Sequence, residues 1–383
     1  MMNYVVLLGN TPPLSYAELE ALVSAKAQLI NSHLALITLD NDEQVYDLQE
    51  KLGGVFKILQ IVKQLSAVLT EAHQEIANYL SEETKEKSSR VSFSINSVGK
   101  LPYQIDARQI KPLLIDEGLS ARYVESSEWG LNSIELKKRA RLCDLFVVQI
   151  EGEVYLLKTV TVSDANQWIK RDRDKPYFSG KKGMLPPKLA RIMVNLGLGQ
   201  LIARDASSNP VLYDPFCGSG TILLEAVLRG CQVIGSDIDT DAVADTQQNL
   251  KWLEAQSQQS YEYSVFQADV VTAASKIENQ KIDLIVTEPF LGKPNPVESE
   301  LDNIYIGLKG LYLGAFKAWI KILRKGSIVV IVFPYVQTSS GQHDLFGLID
   351  KFKRFGYTLV INPLDYHREK AEVKRQILVF RYQ

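Results

Sequence analysis

The chain has 383 residues, 46% of them hydrophobic, with a formal net charge of −2 and three cysteines. That length carries two or three domains with packed cores, and near-neutral charge excludes nucleic-acid binding through a global positive field, leaving only local basic patches. Cys143, Cys217 and Cys231 share no C-x-x-C spacing, which argues against a disulfide framework and a zinc site. No apolar run reaches membrane-spanning length, and residues 1–3 lack the basic start of a secretion signal, so a cytoplasmic protein is expected.

Taken in order, residues 4–8 form a buried-strand pattern. Ser15 is placed to cap a helix over 16–26, with Glu18 at capping-box spacing. Residues 34–39 predict a second strand, 44–52 a helix and 55–62 a third strand, a small α+β unit. A helix over 71–80 follows, then a charged, solvated loop over 81–90. Residues 91–95 alternate as a strand should. Residues 146–150 and 154–159 flank Glu151-Gly152-Glu153 and predict a hairpin.

A basic stretch comes next. Between Lys170 and Arg191 lie eight basic residues (Lys170, Arg171, Arg173, Lys175, Lys181, Lys182, Lys188, Arg191) against Asp172 and Asp174 alone. A second basic group, Lys137, Lys138, Arg139 and Arg141, follows Trp129. Such groups suit phosphate contacts, which supply affinity and register without reading sequence. By composition alone a solvated linker fits the first stretch equally well.

The informative segment is Asp214-Pro215-Phe216-Cys217-Gly218-Ser219-Gly220-Thr221, preceded by a short apolar run and followed by a helix over 222–229 containing Glu225. A strand, a tight glycine turn and a helix let backbone N–H groups approach a nucleotide-like ligand at the carboxyl end of an α/β sheet. The dinucleotide G-x-G-x-x-G pattern fails at Leu223, and the P-loop pattern fails at Thr221-Ile222. Asp214 would repel a phosphate and attract the ammonium group of S-adenosylmethionine. The strand over 231–236 ends at Asp237, placed for two ribose hydroxyls, and the strand over 264–268 ends at Asp269, placed for an adenine amine. Surface acids also cap helices, as the acids over 239–241 can for the helix running to Trp252. The candidate cofactor residues are Asp214, Phe216, Gly218, Gly220, Thr221, Asp237, Ile238 and Asp269.

With these motifs, residues 180–383 resemble a class I S-adenosylmethionine-dependent methyltransferase. The chain as a whole is similar to the THUMP-domain tRNA guanine-N2 methyltransferases that act at position ten. Gly183-Met184, Pro186-Pro187-Lys188-Leu189-Ala190-Arg191 and Asn195-Leu196 resemble the helix preceding that family's cofactor loop, and Leu52-Gly53-Gly54 with Lys57-Ile58 resembles a signature of its N-terminal module. The resemblance implies an α/β fold in four parts. These are a ferredoxin-like module (1–65), a THUMP domain (66–168), a basic linker (169–182) and a Rossmann-like methyltransferase domain with a seven-stranded mixed sheet (183–383). It also implies tRNA as partner, bound through Lys137, Lys138, Arg139, Lys170, Arg171, Arg173, Lys181 and Lys182. No membrane partner is expected, and a protein partner subunit is left open.

Residues 282–286 predict the fourth strand, followed by Thr287-Glu288-Pro289-Phe290-Leu291-Gly292. Amino-methylating relatives carry Asp or Asn, Pro, Pro, then Tyr or Phe here. An exocyclic amine is a poor nucleophile because its lone pair is delocalised. Oxygen acceptors on both of its hydrogens restore and aim that pair, and an aromatic ring stacks on the flipped base. Glu288 takes the acidic slot, Pro289 keeps the first proline and Phe290 replaces the second. The extra methylene moves the carboxylate by about 1.5 Å, one C–C bond. The catalytic candidates are Glu288, Pro289 and Phe290. The expected reaction is methyl transfer to the N2 amine of a tRNA guanine. The alternatives are an exocyclic amine in ribosomal RNA or DNA, and a tRNA-binding protein that has lost the chemistry.

Overall fold

The computed structural model describes residues 2–383 except 24–25, 86–88, 140–141, 179–184, 203–208, 278, 340 and 367–370. Its contacts divide the chain into two compact units, one of residues 1–12 and 23–167, the other of residues 13–22 and 168–383.

The first unit holds strands Met2–Leu8 (β1), Gln28–Asn31 (β2), Leu34–Leu39 (β3) and Val55–Leu65 (β4). Strands Arg90–Val98 (β5), Ser120–Tyr123 (β6), Leu142–Ile150 (β7) and Glu153–Val162 (β8) follow. Among the described residues they form one eight-stranded sheet in the order β2-β3-β1-β4-β8-β7-β5-β6. β4 is long enough to pair with β1 on one side and β8 on the other. The β7–β8 hairpin turns on Glu151 and Gly152, both at positive φ (52° and 93°), as a two-residue turn matched to strand twist requires.

Helix Pro12–Leu22 (α1) connects β1 to β2 in sequence, while its residues 13–22 belong to the second unit. Pro12 and Pro13 start it earlier than the Ser15 cap predicts, because proline fits a first helical turn. Ser15 is therefore buried inside the helix, and Glu18 accepts from Asn195 Nδ2 at 2.6 Å. The first unit's other helices are Asp42–Lys51 (α2), Leu69–Lys85 (α3), Ala107–Asp116 (α4) and Ser133–Lys137 (α5). α3 continues through the expected loop at 81–85. Ser81 is buried, the Thr84 hydroxyl donates to the Leu80 carbonyl, and Glu83 pairs with Lys158 of β8 at 2.6 Å, so tertiary contacts carry the helix into the charged stretch.

A buried polar knot holds the first sheet. Lys57 is ion-paired to Asp144, which also accepts from Ser94 Oγ (2.6 Å) and Thr159 Oγ1 (2.7 Å). Asp144 thereby ties together β4, β5, β7 and β8.

The second unit begins with helices Ala165–Arg173 (α6), most of it in this unit, and Pro187–Ile202 (α7). Strand Val211–Asp214 (β9), helix Thr221–Val227 (α8), strand Gln232–Asp237 (β10), helix Thr240–Ser257 (α9), strand Tyr263–Gln267 (β11) and helix Val270–Lys276 (α10) alternate. Strand Ile282–Thr287 (β12), helix Leu301–Trp319 (α11) and strand Leu323–Gln337 (β13) continue the pattern. Gln342–His343 (β14), helix Ile349–Arg354 (α12), Tyr357–Leu359 (β15), Leu364–Tyr366 (β16) and Lys374–Tyr382 (β17) close it.

The central strand order is β11-β10-β9-β12-β13-β17-β15, with β14 paired to β13 and β16 paired to β17. The first five strands are parallel and β17 enters antiparallel between β13 and β15. Both faces are covered, so the strands read as continuous apolar runs. Along β13, Ile328, Val330 and Val332 pack on one core while Val329, Ile331 and Phe333 pack on the other. The order reverses beside β9, and a parallel α/β sheet binds ligands at such a switch point, outside the strands' carboxyl ends. Among the described residues no helix is long and apolar enough to cross a membrane.

Candidate active site

The glycine turn after β9 is fastened from several sides. Gly218 and Gly220 adopt positive φ (51° and 81°). A Cβ on Gly220 would come within 2.9 Å of the Thr246 side chain, whose hydroxyl donates to the Gly218 carbonyl at 2.7 Å. The Gly218 N–H donates to Asp237 Oδ2 (2.9 Å), and the Asp239 N–H to Asp237 Oδ1 (3.1 Å). Asn249, fully buried on α9, donates from Nδ2 to the carbonyls of Ser219 (2.9 Å) and Tyr177 (3.0 Å). A turn held this way is a preformed backbone cradle.

Asp214 ends β9 and is only 1% exposed. Thr287 Oγ1 (2.7 Å) and the Phe216 N–H (3.1 Å) both donate to its Oδ1. Burial pushes its carboxyl up from 3.8 to about 7, opposed by those hydrogen bonds and reinforced by the charges of Asp237 and Glu288. A buried acid in this state fits a cationic ligand, whose charge would restore the carboxylate. Ile238, next to Asp237, is 68% exposed, an apolar face beside the acid expected to meet a ribose. Asp269 is exposed and caps α10, accepting from the Val271 N–H at 2.8 Å. Asp239 caps α9 in the same way.

At the tip of β12, adjacent to β9 in the sheet, Glu288 meets a partner that the sequence does not mark. Arg375 Nε on β17 donates to Glu288 Oε1 at 2.6 Å, with both side chains 13% exposed. Pro289 is buried and Phe290 is 63% exposed. The acids of the cofactor turn and of the β12 tip are therefore close enough to influence each other's charge, and Arg375 offsets the second.

The basic residues separate into two kinds. Lys138 and Arg139 are exposed in the first unit, and Lys137 pairs with Asp164 at 2.7 Å. In the second unit Lys170 and Arg173 are exposed. Arg171 differs from the expectation of a phosphate contact. Its Nε donates to the buried Glu225 at 2.8 Å and its guanidinium lies 4.2 Å from the Trp168 ring centre, since a buried carboxylate needs a cation. Arg191 lies 2.6 Å from the other Glu225 oxygen. Lys181, Lys182, Arg141, Gly183 and Met184 lie outside the described residues. Lys175, in the expected linker, is buried and donates to Thr221 Oγ1 at 2.9 Å.

A parallel sheet with one antiparallel strand inserted beside its last parallel member, and an acid-flanked glycine turn at the switch point, define a class I methyltransferase. The family model described as the RMKL-like methyltransferase domain (UPF0020) matches residues 178–334. A Methanothermobacter thermautotrophicus protein named tRNA (guanine(10)-N2)-dimethyltransferase is 28% identical over 298 residues, covering 76% of this chain and 78% of that one. A Methanothermococcus thermolithotrophicus protein named probable tRNA (guanine(10)-N2)-dimethyltransferase is 31% identical, covering 32% of this chain and 70% of its own. Among solved structures, TrmN from Thermus thermophilus covers the full length of both chains with a TM-score of 0.57 at 16% identity, a likeness of fold. The chain belongs to the family of the tRNA (guanine(10)-N2)-dimethyltransferases, and its residues 178–334 form the RMKL-like methyltransferase domain. It is an S-adenosylmethionine-dependent enzyme.

Proposed function

We propose that this enzyme methylates the N2 amine of a guanine in tRNA, at position ten. The observation that carries the reading is the carboxylate of Glu288, held by Arg375 at the tip of β12 within electrostatic reach of Asp214. S-adenosylmethionine supplies an electrophilic methyl group on a sulfonium. Asp214 would take the cofactor's ammonium and Asp237 its ribose, and Ile238 and Asp269 would flank its adenine, over the turn formed by Phe216, Gly218, Gly220 and Thr221. Glu288 accepts a hydrogen from the guanine amine and the backbone carbonyl beside it accepts the second, which localises the lone pair. Arg375 fixes the carboxylate and so replaces the rigidity that a second proline would give. Pro289 stiffens the backbone, and the exposed ring of Phe290 stacks on the base. Positioning supplies most of the rate, because the amine needs aiming rather than a strong base.

The first unit contributes the ferredoxin-like and THUMP parts of a tRNA-binding protein. The exposed cations Lys137, Lys138, Arg139, Lys170 and Arg173 take backbone phosphates. A protein working on tRNA in this way belongs in the cytoplasm. The test is transfer of labelled methyl from S-adenosylmethionine to unmodified tRNA, with nucleoside analysis. Labelled N2-methylguanosine at position ten is the expected product. A different labelled nucleoside would move the target. No label in a protein that binds both cofactor and tRNA would refute the catalytic role of the Glu-Pro-Phe tip.

A further inference from the structure

The methionyl end of S-adenosylmethionine carries a carboxylate beside its ammonium group, and Asp214 accounts only for the ammonium. We propose that Lys175 is the cation that holds this carboxylate. The inference rests on the cofactor assignment and is independent of which base is methylated.

Three observations converge on it. First, Lys175 is 3% exposed, and its Nζ donates to the hydroxyl of Thr221, the residue directly after Gly220. An ammonium has three donors, and a neutral hydroxyl compensates poorly for removing its charge from water.

Second, the backbone around Lys175 is part of the cofactor turn. The Tyr177 N–H donates to Asn249 Oδ1 (3.0 Å), while Asn249 Nδ2 donates to the carbonyls of Tyr177 and Ser219. One buried amide thus staples residue 177 to residue 219, and the Nζ–Thr221 bond adds a second tie at residue 175.

Third, among the described residues of the basic stretch, the neighbouring charges leave Lys175 as the cation tied to the turn. Arg171 and Arg191 both lie on Glu225, one on each carboxylate oxygen. Lys175 feels Asp172 and Glu225 at longer range. Their attraction only partly offsets burial, which brings the amine down to about 8. The turn from 214 to 221 therefore has a buried acid at its start and a buried amine at its end. That is the charge pattern of the zwitterionic end of an amino acid, whose ammonium and carboxylate are one carbon apart. A lysine present only to join α6 to α8 would contribute to stability without distinguishing ligands by their carboxylate.

The test uses the full chain and two ligands, S-adenosylhomocysteine and its decarboxylated analogue, which keeps the amine and loses the carboxylate. Titration calorimetry on wild type and Lys175→Met should show S-adenosylhomocysteine weakened roughly 10- to 100-fold, as for loss of a buried charge-assisted hydrogen bond. The analogue should change less than about twofold on the scale of that effect, so that the preference for the carboxylated ligand collapses. Equal weakening of both ligands, or no weakening of S-adenosylhomocysteine, would overturn the proposal. If Lys175→Met does not fold, wild type alone decides. Near pH 8 the carboxylated ligand should draw more proton uptake than its analogue, measured in buffers of different ionisation enthalpy, because it completes protonation of Lys175. Equal uptake would overturn the assignment. Failure of wild type to bind S-adenosylhomocysteine at all would overturn the cofactor reading, and this inference with it.

Discussion

Replacing Asp214 with Asn should make the ligand-free second unit more stable and its cofactor site weaker. Both hydrogen bonds that the carboxylate accepts from described residues fall on Oδ1, and an asparagine oxygen can take both. The charge is what differs. Burial holds the carboxyl at about 7 against an ordinary 3.8, so at 1.36 kcal/mol per pH unit the ionised form costs the fold about 4 kcal/mol. Because the folded pKa is raised, the unfolded chain loses its proton first, near pH 4. Stability therefore falls as pH rises from about 4 to about 7 and is level above that. Asn carries no such penalty. Denaturant melts without ligand should show Asp214→Asn more stable than wild type by about 1–4 kcal/mol at pH 8, and by much less near pH 4.

The binding side has the opposite sign. A cationic ligand selects the ionised acid, so wild-type affinity for S-adenosylhomocysteine should decline below pH 7, approaching about tenfold per pH unit. Asp214→Asn should bind at least roughly tenfold more weakly at pH 7.5, without that acid limb. This would be a functional acid kept at the expense of stability. An Asn variant less stable than wild type at pH 8, or one binding with wild-type affinity, would refute the reasoning.

Other perturbations separate the parts of the molecule. Arg375→Ala removes the ion pair that orients Glu288, and misplacement of the amine acceptor by about 1 Å should cost methyl transfer roughly a hundredfold while S-adenosylhomocysteine affinity changes little. The comparison is kcat against ligand Kd. Phe290→Ala removes an exposed ring and should leave the melting temperature unchanged, lowering kcat/KM for RNA by about 5- to 150-fold, the loss of one base–aromatic stack. Lys57→Ala leaves Asp144 buried without its cation and should destabilise the first unit by about 3–5 kcal/mol in chemical denaturation. Methyl-transfer assays at low temperature would show whether catalysis survives that change.

Much of the fold is legible because local patterns carry it. The alternation of β9 through β12 with their helices follows from short apolar runs, turn glycines and capping acids within a few residues of one another. The cofactor turn is legible for the same reason, since Asp214, Gly218 and Gly220 lie in one stretch and strand-to-helix geometry is set by neighbours. Helix ends are less legible. α1 begins at its prolines and α3 runs past Leu80, because burial of Ser15 and Ser81 is a tertiary fact.

Charge partners are where local reading stops. The sequence marks Lys175 and Arg171 as members of one basic stretch, yet the fold sends the first to Thr221, 46 positions away, and the second to Glu225, 54 positions away. Glu288 stands out in sequence as a departure from pattern, and its partner Arg375 is 87 positions further on. By itself the sequence determined a class of fold, a cofactor turn and the position of an unusual acid, since each depends on residues adjacent along the chain. Only the tertiary structure decided which charges are buried and which cation neutralises which acid. An ion pair depends on distance through space and on exclusion of water, and neither is encoded by composition or spacing along the chain.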